Sequence, residues 1–155
     1  MLFRSSGAKL STLPGPAGKI DQKKLAEALA QPVYGVVHHP QPAAVSITQA
    51  TECGTVYGPD EIVSIATTAH RHGLKLHMDG ARFANALAFV GCSAAELSWM
   101  AGVDALSLGA TKNGALAAEY GHVRREQRGQ LAVCILTLQR LCDAIQKLAA
   151  CWKTI

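Results

Sequence analysis

Aromatic residues are scarce in this chain, which has only three Phe, three Tyr and two Trp among 155 residues. The basic residues are spread along the sequence and give a net charge of only +4. Basic residues interleaved with aromatic ones, the pattern of many nucleic-acid-binding surfaces, are therefore missing. One basic cluster consists of Arg124, Arg125 and Arg128. We interpret it as the solvated start of a helix, with a phosphate-binding patch as the alternative.

Cysteine occurs five times, an odd number, and no C-x-x-C pair is present. A disulfide framework and a metal site of the zinc type are therefore not expected, and a reducing compartment fits better. The first residues contain no apolar segment of the signal-peptide kind. No apolar run approaches the about 20 residues of a membrane span. We therefore expect a cytoplasmic protein with no metal, nucleic-acid or membrane partner.

Hydrophobic residues make up 49% of the chain and charged residues 17%, which is compatible with one packed domain. A helix is predicted to start at the N-cap Asp21 and to end before Pro32. Further apolar periodicity predicts helices over 59–73, 81–91 and 124–152. The capping box Ser93-Ala94-Ala95-Glu96 predicts another helix, over 93–102. Short β-prone runs predict strands over residues 33–37, 44–48, 74–78, 103–108 and 117–123. The alternation of strands and helices indicates an α/β fold with a mostly parallel sheet.

Two polar residues follow buried strands of this predicted sheet. Asp79 comes directly after the run 74–78, and Lys112 follows the run 103–108. Both are displayed past the carboxyl ends of their strands, and this edge is where open α/β sheets bind ligands. A lysine that forms a Schiff base and a carboxylate that holds the pyridine nitrogen protonated are what pyridoxal 5′-phosphate (PLP) requires. The pair therefore indicates a PLP site.

Several stretches together resemble the low-specificity L-threonine aldolases. They are Val-Ser-Ile-Thr-Gln-Ala-Thr-Glu at 45–52, Gly-Thr-Val-Tyr at 54–57, His-Met-Asp-Gly-Ala-Arg-Phe-Ala-Asn-Ala at 77–86, Ala-Gly-Val-Asp at 101–104 and Gly-Ala-Thr-Lys-Asn-Gly at 109–114. This family belongs to the β-eliminating lyase group of PLP enzymes. The resemblance implies the aspartate aminotransferase fold, known as fold type I, whose large domain has a three-layer, mostly parallel sheet with flanking helices.

The resemblance also implies roles for matching residues. Lys112 would be the Schiff-base lysine, and Asp79 would pair with the pyridine nitrogen of PLP. Arg82 would lie near the cofactor and the substrate carboxylate, and Thr111 would approach the cofactor phosphate. The implied reaction is retro-aldol cleavage of L-threonine or L-allo-threonine to glycine and acetaldehyde.

The family chain is longer, so residues 1–123 are expected to form part of the large PLP-binding domain. Residues 124–155 are expected to form a long amphipathic helix that leads to a second domain. The chain is then a piece truncated at both ends, and we expect weak or no turnover when it is alone. Family members are dimers or tetramers, which implies a homo-oligomer. Two alternatives stay open, a non-catalytic remnant or interaction module of the same fold, and a PLP-dependent β-eliminating lyase acting on another amino acid.

Other candidate residues receive structural interpretations. His77 lies two residues before Asp79 on the same strand face, so it either contacts the site or is a hydrogen-bonded core histidine, and the second is favoured. His38 and His39 are interpreted as loop residues. His70 and His72 are expected at a helix surface. Cys53 is interpreted as structural.

Overall fold

The computed structural model describes residues 9–30, 38, 41–109 and 112, and the backbone of residues 119–123. The described helices are α1 (Gln22–Ala30), α2 (Pro59–Arg71) and α3 (Phe83–Val90). The strands are β1 (Ala44–Thr48), β2 (Lys75–Gly80), β3 (Ala105–Gly109) and β4 (Glu119–Val123). Short 3₁₀ turns occupy Pro16–Gly18 and Trp99–Ala101. The strand predicted over 33–37 and the helix predicted over 124–152 lie outside the described residues.

The four described strands form one sheet in the order β1-β2-β3-β4. The first three strands are parallel, and β4 runs antiparallel to β3. Asp79 on β2 pairs in register with Thr48 on β1 and with Ser107 on β3. Because the strands are parallel, their carboxyl ends meet at one edge of the sheet. The α/β, mostly parallel architecture agrees with the prediction.

The two faces of the sheet differ in polarity because side chains alternate along each strand. One face is buried and apolar, and it carries Val45, Ile47, Leu76, Met78, Leu106 and Leu108. The opposite face carries the polar residues Ser46, His77, Asp79 and Ser107, which are half-buried or exposed. Asp79 therefore lies on the polar face of β2, at its carboxyl end.

Two predicted helices form for the predicted reasons. Oδ1 of Asp21 accepts hydrogen bonds from the backbone N–H groups of Lys23 and Lys24, so Asp21 is the N-cap of α1. Helix α2 starts at Pro59 and packs against β2. Its predicted apolar stripe is confirmed as the buried set Ile62, Ile65, Ala66 and Ala69.

The helix predicted over 93–102 is wrong. The capping box itself forms, since Glu96 Oε2 accepts from the Ser93 N–H at 2.8 Å and Ser93 Oγ accepts from the Glu96 N–H at 3.2 Å. Beyond it the backbone makes turns and the short 3₁₀ segment. The buried hydroxyl of Ser98 donates to the carbonyl of Ala94, which competes with helical hydrogen bonding. A capping box alone is too weak to hold so short a segment in an α-helix.

Strand ends also shift relative to the sequence-based boundaries. Strand β2 extends through Gly80 and includes Asp79, and β3 begins at Ala105. A Cβ on Gly80 would lie 2.9 Å from Cδ1 of Leu106 and 3.0 Å from the carbonyl oxygen of Ser107. Only glycine allows β2 to approach β3 this closely at the edge where Asp79 is displayed.

Candidate functional site

Asp79 provides a carboxylate at the carboxyl end of the central parallel strand. The side chain is half-buried, and its Oδ1 accepts a hydrogen bond of 3.0 Å from the backbone N–H of Ala81. Within the described part of the chain, its Oδ2 has no hydrogen-bond donor. Asp79 can therefore accept a further N–H donor without losing its bond to Ala81.

Arg82 provides a cation three residues further along, immediately before α3. Its Nη1 and Nη2 donate to Oε1 and Oε2 of Glu52 at 2.9 and 3.1 Å, which is the bidentate fork geometry of a strong charge-assisted pair. The bonds from Arg82, with a smaller contribution from the charge of Lys112, lower the pKa of Glu52. In return, the bonds to Glu52 and the nearby charge of Asp79 raise the pKa of Arg82. Both members of the pair are therefore ionised at neutral pH.

Lys112 brings its amine to the same group of charges. Its Nζ lies 4.0 Å from Oε1 of Glu52, and half of its side chain is exposed. Glu52 is thus shared by Arg82 and Lys112, and Asp79 acts electrostatically on Arg82. The structure groups three of the four sequence-predicted site residues, Asp79, Arg82 and Lys112, around one edge of the sheet. Thr111 lies outside the described residues.

The loop after β1 contributes residues that the sequence analysis did not identify as functional. Gln49 is fully buried, and its side chain donates to the carbonyl oxygen of Tyr57 at 2.8 Å and accepts from the Tyr57 N–H at 3.0 Å. Glu52 lies on the loop closed by this residue pair. Its position in the sequence could have identified Glu52 as a candidate site residue. Glu52 follows the carboxyl end of β1, at the same sheet edge that made Asp79 a candidate.

A pocket of about 330 Å³ opens beside Arg82. Its walls come from the loop after β1 and from α3, and its lining residues are Ala50, Thr51, Glu52, Gly54, Val56, Arg82, Asn85 and Phe89. The Arg82–Glu52 pair thus contributes to the pocket wall, whereas Asp79 and Lys112 do not line it. The pocket provides room for a small polar group next to a cation.

His77 lies between two hydroxyl groups on the polar face. Its Nδ1 is 2.8 Å from Oγ of Ser46, and its Nε2 is 3.0 Å from Oγ of Ser107. Burial lowers the pKa of His77, although the charge of Asp79 opposes that shift. The hydrogen bonds of the favoured interpretation are therefore present, but His77 lies half-buried on the polar face and close enough to Asp79 to feel its charge, not in the apolar core. Cys53 is exposed and free, and His70 is an exposed residue whose Nε2 lies 2.7 Å from Oδ2 of Asp104.

The side chains present fit PLP. A pyridinium nitrogen needs a carboxylate, and Asp79 retains an oxygen that can accept its N–H. A Schiff base needs an accessible amine, and Lys112 exposes one. The anionic oxygens of the cofactor or of an amino acid need a cation, and Arg82 supplies it with a side chain that is one-third exposed.

Neither a metal site nor a membrane span is found where the structure can be described. The described residues contain no group of three or more His, Cys, Asp or Glu side chains placed to hold a metal ion. No helix among these residues combines the length and the apolar character that crossing a bilayer requires.

Comparison with known families gives a match over most of the chain. The family model described as beta-eliminating lyase matches residues 2–123. The low specificity L-threonine aldolase of Pseudomonas sp. (strain NCIMB 10558) is 49% identical, with 84% of this chain and 40% of that protein covered. The protein of the same name from Pseudomonas aeruginosa is 50% identical with the same coverage. The chain thus spans about 40% of the length of these curated relatives.

Solved structures show the same fold. A structure of Leishmania major threonine aldolase superimposes with a TM-score of 0.67 at 27% identity, covering 92% of this chain and 43% of the other. A crystal structure of mouse CSAD gives a TM-score of 0.52 at 20% identity, covering 74% of this chain and 24% of the other, a likeness of fold alone. The predicted family resemblance and the predicted fold class are both confirmed.

Proposed function

The chain belongs to the beta-eliminating lyase family, and on that premise we propose that it is the cofactor-binding part of a PLP-dependent aldolase. The proposed reaction is cleavage of L-threonine or L-allo-threonine to glycine and acetaldehyde. The convergence of Arg82 and Lys112 on one carboxylate, at the sheet edge that displays Asp79, is the observation that carries the proposal. The name low specificity L-threonine aldolase of the two Pseudomonas relatives supports the choice of substrate.

Each site residue has a distinct task in this proposal. The amine of Lys112 holds the cofactor covalently, and it reacts only in its neutral form. Asp79 keeps the ring nitrogen protonated through the oxygen that Ala81 does not occupy. Arg82 binds an anionic oxygen of the cofactor or of the substrate carboxylate. Thr111, next to Lys112 in the sequence, is proposed as a contact of the cofactor phosphate.

PLP, when bound, supplies the electron sink that accepts the electron pair released as the Cα–Cβ bond of the amino acid breaks. The protein has to orient that bond, accept the proton of the β-hydroxyl group and return a proton to Cα. Asp79 favours the electron flow because its negative charge stabilises a positive ring nitrogen. Arg82 orients the substrate because its planar fork matches a carboxylate.

We also propose that the protein acts in the cytoplasm as a homo-oligomer. Free Cys53 and Cys92 are compatible with a reducing compartment. The homo-oligomer is proposed from the family resemblance, whose members are dimers or tetramers.

The test is covalent capture of PLP on Lys112. Purified chain is mixed with PLP, reduced with borohydride and digested, and the pyridoxyl group is located by peptide mass spectrometry. We expect the label on Lys112 and its loss in Lys112→Ala, whereas Lys23→Ala, which removes an exposed lysine of α1, serves as the matched control and keeps the label. An unlabelled Lys112, or equal labelling of surface lysines, would refute the proposed cofactor role.

Substrate is tested separately, by acetaldehyde release from L-threonine and L-allo-threonine with the labelling-competent protein. Acetaldehyde that disappears in Lys112→Ala supports the aldolase. Release of pyruvate or ammonia from another amino acid instead identifies a β-eliminating lyase. Capture of PLP with no product from any amino acid agrees with the weak or absent turnover expected of a chain that spans about 40% of the length of its relatives, and it leaves the cofactor role of Lys112 supported.

A further inference from the structure

The loop that carries Glu52 is closed by its own hydrogen bonds. Thr51 accepts the Gly54 N–H on its carbonyl oxygen at 3.0 Å, and its N–H donates to the carbonyl oxygen of Thr55 at 2.9 Å. The hydroxyl groups of Thr51 and Thr55 are 2.7 Å apart, and that of Thr55 also donates to the carbonyl oxygen of Ala17. Gly54 has a φ of 76°, a left-handed conformation that glycine adopts without strain. Glu52 therefore projects from a backbone with a defined shape.

The side chain of Glu52 extends from this loop into solvent, yet both of its oxygens are used. About 73% of the side chain is exposed, compared with 33% for Arg82. Arg82 precedes α3 and has many rotamers open to it, so the fork with Glu52 selects one of them. Both residues line the same pocket, with Thr51 and Asn85 beside them. The pair links the end of β1 to the start of α3 across the pocket wall.

The position of Glu52 also matters for the charge balance of the site. Nζ of Lys112 lies 4.0 Å from Oε1 of Glu52, and the same oxygen accepts from Nη1 of Arg82. Two cations that share one carboxylate would repel each other if that carboxylate were absent. Glu52 therefore allows Arg82 and Lys112 to remain close together at the sheet edge.

We propose that Glu52 is a positioning residue that holds the guanidinium of Arg82 in place for anion recognition. This inference rests on the proposed function, because it assigns Arg82 to an anionic oxygen of the cofactor or substrate. Glu52 itself touches neither in this scheme and acts through Arg82. The rival interpretation is that Glu52 competes with the incoming anion for Arg82, and the two roles predict opposite effects of removing its charge.

The first measurement needs no cofactor. Arginine modification by phenylglyoxal is followed at Arg82 by peptide mass spectrometry in wild type, Glu52→Gln and Glu52→Asp. We expect Arg82 to react about threefold faster in Glu52→Gln, the ratio that the loss of an exposed ion pair of ordinary strength produces. Glu52→Asp keeps the charge but moves the carboxylate one methylene further from Arg82. If the fork geometry holds Arg82, Arg82 should react as fast in Glu52→Asp as in Glu52→Gln. Glu27→Gln, which removes an exposed charge on α1, is the control and should react as wild type.

The second measurement is PLP affinity in a double-mutant cycle. Glu52→Gln should weaken PLP binding by about threefold, and Arg82→Gln should weaken it more. If Glu52 acts mainly through Arg82, adding Glu52→Gln to Arg82→Gln should weaken PLP binding less than Glu52→Gln does in wild type, with only the 4.0 Å interaction with Lys112 left to lose. Unchanged far-UV circular dichroism and thermal midpoint would confirm that each variant is folded.

The outcomes separate the inference from the proposed function. Tighter PLP binding in Glu52→Gln than in wild type would show that Glu52 competes with the anion and does not position Arg82. If Glu52→Gln weakens PLP binding as much in the Arg82→Gln variant as in wild type, Glu52 does not act through Arg82. If wild type fails to bind PLP, the proposed function fails, and the modification rates alone decide whether Glu52 holds Arg82. Equal rates in wild type and Glu52→Gln would then refute the inference.

Discussion

The backbone N–H of Gln49 donates a hydrogen bond of 2.8 Å to the carbonyl oxygen of Asp79. This bond extends the pairing of β1 and β2 one residue past the end of β1. The buried side chain of Gln49 then binds both the N–H and the carbonyl oxygen of Tyr57, on the far side of the loop that carries Glu52. Gln49 therefore connects β2, which carries Asp79, to the loop whose Glu52 binds Arg82.

The first prediction concerns the buried amide of Gln49. Gln49→Leu leaves the buried N–H and carbonyl groups of Tyr57 without their side-chain partners. The free energy of unfolding should fall by about 2 kcal/mol, as expected for buried polar groups left unpaired. Urea denaturation measures this loss. Gln22→Leu, at the exposed start of α1, is the control; it removes only one exposed hydrogen bond, from the Ser64 hydroxyl, and should lower the value by less than about 1 kcal/mol. Equal losses in the two variants would contradict the role given to Gln49.

The second prediction concerns the close contact of β2 with β3 at Gly80. Gly80→Ala places a methyl group within 3.0 Å of Ser107 and closer still to Leu106, so one strand must move. We expect a loss of about 2 kcal/mol in the free energy of unfolding, typical of overpacking. A folded variant should also bind PLP less tightly, because Asp79 is adjacent to the displaced backbone.

The control for this prediction is Gly58→Ala. Gly58 has a negative φ, and the nearest atom to an added Cβ lies 3.8 Å away. As an N-cap position it should lose less than about 1 kcal/mol. If both alanine variants lost the same stability, backbone freedom of glycine and not the contact with β3 would explain the effect.

The sequence predicted the parallel core of the sheet and the placement of Asp79 and Lys112 at one of its edges because both depend on local patterns. Asp79 and Lys112 follow apolar strands directly, and parallel strands must end at one edge. Glu52 was not predicted because it lies in the loop after β1 and not directly at the end of the strand. Its role also depends on the position of Arg82, 30 residues later. The helix predicted over 93–102 failed because a capping box marks a helix start without supplying the packing that sustains one.

The third prediction concerns Asp104, which lies at the opposite end of the strands from Asp79. Burial alone would raise the pKa of this carboxyl group, but hydrogen bonds from the Leu76 N–H, His70 and Lys75 together lower it. A lowered pKa in the folded state means that the ionised form stabilises the fold. This stability is fully present above the ordinary aspartate pKa of about 3.9 and is lost as pH falls through the lower, folded value.

Asp104→Asn should therefore destabilise the protein at pH 7 by about 1.5 to 3 kcal/mol, the range for hydrogen bonds to a charged group. On acidification below about pH 4, the stability of the variant should fall less than that of wild type. Thermal unfolding measured from pH 3 to 7 provides both values. A parallel decline in wild type and variant would show that the ionised carboxylate of Asp104 contributes nothing to the fold.

The last prediction concerns the charge of His77 beneath the proposed cofactor site. Burial between Ser46 and Ser107 lowers the pKa of His77 below its usual value of about 6.5, while Asp79 opposes the shift. The imidazole is therefore neutral at pH 7 and leaves the negative charge of Asp79 available to a pyridinium nitrogen. Protonation must cost stability, so the fold should weaken as pH decreases from about 6.5 towards the folded pKa.

Titration of the imidazole C–H resonances of His77 by NMR measures this pKa directly. Asp79→Asn should lower it further, because the opposing charge is removed, whereas Asp60→Asn on α2 should leave it unchanged. A pKa above 6.5 in wild type would mean that the attraction of Asp79 exceeds the cost of burial. His77 would then be a counter-ion of Asp79 at physiological pH, and Asp79 would be a weaker partner for a protonated ring.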